Sequence, residues 1–172
     1  MTPAQRLRQV ANLLNGSTVL GLLLARFAGC NVCKGPHGLV IATSYRPRLP
    51  VAGAFAVGNV VLFRSDAGQV WGNPVLLEHE ERHCTQYAWC LGLPFLPLYF
   101  LAAGWSFLRT GSAGSANIFE RMAGLEAGGY VESHGYRLAG NRSLTKNRHR
   151  INHIGTPRRT GAARKQPGQE EK

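Results

Sequence analysis

Cysteine is scarce in this chain, with four residues at 30, 33, 84 and 90, and no clear cleavable signal sequence accompanies them. That argues against an extracellular disulfide framework, so reduced thiols in a cytoplasmic protein, at most peripheral to a membrane, are expected. Cys30-Asn31-Val32-Cys33 is a lone C-x-x-C. Cys84 and Cys90 have the wrong interval to be its matching pair, which leaves it a structural role. Acidic residues are also few, nine against 20 Lys and Arg. The imbalance is local: 137–172 holds ten Lys/Arg against Glu170 and Glu171, net +8, whereas 1–136 holds ten against seven, net +3. Large apolar residues are sparse in the same tail, too sparse for burial to offset its ordering entropy, so 140–172 is expected to be disordered. The tail lacks interleaved aromatics, and no helix-turn-helix, RNP-like or zinc-finger pattern accompanies it, which argues against nucleic acid as a partner.

What remains is a chain with 44% hydrophobic residues, enough for one α+β domain over 1–139. Gln5 to Phe27 is helical, with a break near Asn15-Gly16-Ser17. Two β-rich runs follow, Leu39 to Tyr45 and Ala54 to Phe63, separated by a proline-bearing turn, and they predict a small antiparallel sheet. Gly58 interrupts the second run, as a bulge or a close backbone approach requires. Asn73-Pro74 supplies an N-cap and a first-turn proline, so a helix is predicted from there to about Leu91. No charge occurs from Cys84 to Leu108. Pro94 and Pro97 argue against one uninterrupted span, so 91–108 is predicted to be buried or to contact a membrane surface. Asn117 opens a last helix, reaching Gly128 or, past a glycine kink, His134.

The predicted middle helix carries His79-Glu80-Glu81-Arg82-His83, an H-E-x-x-H string. Steps of 100° put His79, His83 and Gln86 on one narrow stripe, with Glu78, Glu81, Arg82 and Thr85 on another facing water. Two imidazoles one turn apart can converge on a zinc ion, and Glu80, on the apolar side next to them, is costly there unless a metal-bound water compensates it. Glu80 is therefore the candidate general base of a hydrolase acting on a peptide or protein substrate. Glu78 and Arg82 form an ordinary i,i+4 pair. A third ligand has to come from another element. Glu120 is the best candidate, although a Glu three residues after an N-cap Asn can simply close a capping box; Glu126, Glu132 and His134 are alternatives.

H-E-E-R-H-C-T-Q, followed after an apolar stretch by N-I-F-E-R-M-A, resembles the zincin metallopeptidases of the gluzincin type, in particular compact bacterial proteins with H-E-x-x-H-x-x-Q and a later N-x-F-E-x-x-A. The resemblance covers about Ala54 to Glu132. It implies a zincin-like minimal domain, Zn2+ on His79, His83 and Glu120, Glu80 as general base and Gln86 as a supporting residue. It further implies that the strand Ala54 to Phe63 lies beside a cleft and pairs with extended peptide. No counterpart of the family's oxyanion-stabilising side chain is evident in the pattern; Tyr87, Tyr99, Tyr130 and His134 are the available groups. The alternative is a non-catalytic membrane-associated or scaffold protein with a structural or degenerate zinc site.

Overall fold

The computed structural model describes residues 1–131; the basic tail, Glu132 and His134 lie outside the described residues. Helix α1 (Pro3–Leu14) begins with a capping box, Thr2 accepting from the Gln5 amide while the Gln5 side chain accepts from that of Thr2. Helix α2 (Ser17–Phe27) follows after Asn15 and Gly16, the latter at φ +78°, and the two axes differ by 72°. The break predicted at 15–17 is thus a sharp corner. Strands β1 (Asn31–Lys34), β2 (Val40–Thr43), β3 (Ala54–Val57) and β4 (Val60–Phe63) form one sheet in the order β1-β2-β4-β3. Helices α3 (Ala67–Trp71), α4 (Pro74–Trp89), α5 (Phe95–Thr110) and α6 (Ile118–Ala123) complete the described fold.

The sheet is mixed, not antiparallel: β2 and β4 run parallel, while β1 pairs with β2 and β3 with β4 antiparallel. The reason lies in β4. All four of its residues are buried, so it needs a ladder on both sides and cover on both faces, and it takes the position between β2 and β3. The run Ala54 to Phe63 is accordingly two strands joined by a hairpin. Gly58, at φ +63°, occupies the first position of a two-residue turn, where a positive φ is required. Both faces of its role are visible, because a Cβ there would lie 2.4 Å from the Thr18 backbone nitrogen. Asn59 completes the junction, its amide and side chain both donating to Thr18 Oγ1 and its side chain also to the Gln9 carbonyl. Strand β1 escaped sequence reading because all its residues are exposed, leaving no alternation to detect.

Helix α4 starts where the sequence places it, the Asn73 side chain accepting from the Leu76 amide ahead of Pro74. One face carries Leu77, Cys84 and Tyr87 into the core beside the sheet. Glu81 does not face water as the helical stripe suggested. Arg8, buried on α1, donates to Glu81 Oε1 at 2.7 Å and to the His37 carbonyl, and the His37 ring meets Glu81 Oε2 at 2.8 Å. Burial works to raise the Glu81 carboxyl, but the hydrogen bonds from His37 and Arg8 prevail and hold it below the usual carboxylate range. A lowered folded-state pKa means the unfolded chain binds this proton more tightly. The stabilisation is therefore complete above pH 4.5 and disappears as pH falls from there through the lowered folded value. Glu81→Gln is expected to cost on the order of 1 kcal/mol near neutrality and almost nothing in acid; urea midpoints for both chains across that range measure the difference.

The prolines of α5 do not interrupt it. Pro94 is the N-cap and Pro97 lies in the first turn, where a missing N–H costs nothing. Of its sixteen residues only Phe95 and Ser106 are fully buried, so the expectation of a buried segment is corrected: most of its apolar side chains face outward. Among the described residues no single helix is long and apolar enough to cross a membrane. Helix α6 is shorter than predicted, ending at Ala123 because Gly124 adopts φ +95°.

Candidate metal centre

Each member of the site is placed by a different local rule. His79 and His83 sit one turn apart on α4, which the N-cap at Asn73 fixes in register. Glu120 is delivered from α6, whose start is set by Asn117, the side chain of which accepts from the Phe119 amide. The Glu120 carboxylate makes no capping box; it turns toward the histidines. His79 Nε2 and His83 Nε2 are 3.1 Å apart, and Glu120 Oε2 lies 3.3 and 3.7 Å from them. All three residues are buried.

The protons on these rings can be deduced. His79 Nδ1 lies 3.1 and 3.0 Å from the carbonyls of Ala123 and Gly124, which only accept, so this nitrogen carries hydrogen. The Gln86 Nε2 donates to the Phe119 carbonyl at 2.9 Å, which fixes the amide orientation and leaves Oε1 to accept from His83 Nδ1 at 2.8 Å. With Nδ1 protonated on both, each ring in its neutral form presents a bare Nε2 lone pair to the other and to a carboxylate oxygen. In that form three acceptors converge with no donor among them. A single proton relieves one of the three contacts, whereas a divalent cation accepts from all three.

The spacing fits such an ion. Bonds of about 2.0–2.2 Å to nitrogen and oxygen in a tetrahedral zinc site place the ligand atoms about 3.3–3.6 Å apart, close to the 3.1, 3.3 and 3.7 Å found here. Space is kept for it by Gly128, where a Cβ would come within 2.8 Å of His79 Nε2 and 3.2 Å of Glu120 Oε2. The group His79, His83 and Glu120 can hold a metal ion, and among the described residues no cysteine takes part in such a group; the four thiols are free.

Burial alone would raise the Glu120 carboxyl, but His79, His83 and the Tyr99 hydroxyl outweigh it and keep the group well below the usual carboxylate range. Tyr99 donates to Glu120 Oε1 in a very short hydrogen bond, so Oε2 is the atom left for a ligand. Glu80 is different. It is buried on the same cleft wall, its Oε2 has no hydrogen-bond partner, and desolvation pushes its carboxyl up to about 7, against the opposing pull of His83 and His79. Burial opposes charge on His83, yet Glu120 and Glu80 raise its pKa on balance.

Of the sequence candidates, His79, His83 and Glu120 are brought together and Glu80 stands beside them, while Glu126 is exposed and absent from the group. Sequence reasoning missed the task of Tyr99, which it held only as an oxyanion candidate, and of Gly128, read as a helix kink. Both act from elements remote from the motif, so no spacing rule reveals them. Tyr99→Phe preserves the ring packing against Phe95 and Phe119 and removes the hydroxyl that orients Glu120. It is expected to weaken metal affinity about 10- to 100-fold, read by competition with a chelating dye.

No known protein family, curated protein or solved structure matches the chain.

Proposed function

We propose that this chain is a zinc-dependent metallopeptidase with a zincin-like active site, in which His79, His83 and Glu120 hold the ion and Glu80 is the general base. The observation that carries the reading is the convergence of three metal-ligating lone pairs beside a buried carboxylate whose Oε2 has no partner. Zinc held there by His79, His83 and Glu120 would supply Lewis acidity. Glu80 Oε2 takes a proton from the attacking water as the carbon–oxygen bond forms. The same oxygen then returns the proton to the amide nitrogen as the carbon–nitrogen bond breaks, so carboxylate and proton count are restored. Gln86 and the Ala123 and Gly124 carbonyls keep both imidazoles in the tautomer that leaves Nε2 free.

The substrate-binding side is formed by a cleft of about 1160 Å³ that runs from the histidines along Ala54–Val57. Strand β3 is at the end of the sheet order, so its outer ladder of backbone groups is available to an extended peptide. The test is incubation of the zinc-loaded chain with an unstructured protein substrate: new amino termini should appear, vanish with chelator and return with added zinc.

One feature favours a second reading, a zinc site that is structural or degenerate. The Tyr99 hydroxyl is already engaged with Glu120, which leaves Tyr87 and Tyr130, both on the cleft wall, as the oxyanion candidates. Under that reading zinc raises stability and no amino termini are released.

A further inference from the structure

The rim of the cleft is apolar and exposed at once. Leu20 of α2, Leu49 and Val51 of the β2–β3 loop and Phe100 of α5 all line it, with 40%, 73%, 83% and 66% of their surface accessible. The loop is not loose. Arg64 donates to the carbonyls of Ala52, Arg48 and Pro50, and the Tyr45 hydroxyl to that of Leu49. Hydrogen bonds from beneath therefore hold Leu49 and Val51 out in water, a placement that folding alone does not reward. The patch continues along the outer face of α5 through Leu101, Trp105 and Leu108, all at least 60% exposed.

Charge decides what covers it. Residues 1–65 contain no Asp or Glu, and neither do residues 82–119. Arg46 and Arg48 are exposed beside the two loop side chains, Arg26 is exposed on α2, and Arg109 lies over the Trp105 ring at 5.9 Å. Exposed Glu126, next to the lining segment Ala127–Tyr130, is the exception; an apolar surface with this cationic excess matches the acyl boundary and head groups of an anionic bilayer. A second copy of the same surface brings the same positive charge and is disfavoured. We propose that the mouth of this cleft docks on an anionic membrane, with the loop at 46–51 and the outward faces of α2 and α5 in the interfacial layer. The cleft then opens at the lipid surface, and a polypeptide reaching Glu80 enters from there. The docking itself needs neither zinc nor hydrolysis, so its failure leaves the metallopeptidase reading standing, and the reverse.

The experiment is co-sedimentation of the full chain with phosphatidylcholine vesicles and with vesicles containing phosphatidylglycerol. Binding to the anionic vesicles is expected. Because the basic tail contributes charge of its own, Leu49→Asp/Val51→Asp carries the decision: partitioning should fall at least about tenfold, with the melting temperature unchanged. A second readout needs no rim substitution. In Trp71→Phe/Trp89→Phe, the remaining Trp105 should be quenched by brominated acyl chains. Wild-type partitioning by the rim variant, an unquenched Trp105, or a dimer formed through the rim in place of vesicle binding would each overturn the proposal.

Discussion

Glu80→Gln should leave zinc bound at wild-type stoichiometry and lower any peptide hydrolysis by about 10²- to 10⁴-fold. The amide is nearly isosteric, and the carboxylate it replaces is no member of the metal-ligating group, so binding and chemistry are separated. The size follows from the environment. Glu80 is buried beside the ligands with an unpartnered oxygen, placed to take a proton and to return it. Gln offers no such site. Rates of both chains on one peptide, with zinc measured in the same preparations, provide the check. Chelator-sensitive hydrolysis persisting in Glu80→Gln removes the residue from the role of base.

Metal removal should cost the fold more than any single surface substitution. In the absence of a cation, two imidazole nitrogens 3.1 Å apart face a carboxylate oxygen inside the protein, an arrangement that a proton on one ring relieves only in part. An ion that binds only the native chain stabilises it by about 4 kcal/mol at a thousandfold excess over Kd. For a domain of this size that corresponds to about 10–20 °C in melting temperature. Thermal melts with and without a chelator, repeated on His79→Ala, read the effect; the variant should melt at one temperature in both conditions.

How much of this was legible beforehand depends on whether a residue's partners lie close in sequence. The helix that carries His79 and His83 announces itself through Asn73-Pro74, and the corner at Asn15-Gly16 through its turn residues, since caps and breakers act within a few positions. The α+β class was legible in the same way. The mixed strand order was not, because the burial of β4 on both sides is a property of the whole sheet and Val-Val-Leu-Phe reads the same in either direction. Glu81 was misplaced for a related reason: helical geometry puts it on the outer stripe, but Arg8 and His37 arrive there from α1 and from the turn before β2. Likewise composition left α5 as a buried or an interfacial segment, and only its packing shows that most of its apolar side chains are exposed among the described residues. Gln86 could be marked as a supporting residue but not given a task until the Phe119 carbonyl fixed which way its amide points.

The most direct test of the central claim is metal content. Purified wild-type chain, dialysed against trace zinc, should hold one zinc per chain, and Glu120→Ala should hold little or none under the same conditions while remaining folded by circular dichroism. Equal zinc in the two proteins would contradict the claim, for it would mean that the carboxylate from α6 is not a ligand and that the three converging lone pairs are not a metal site.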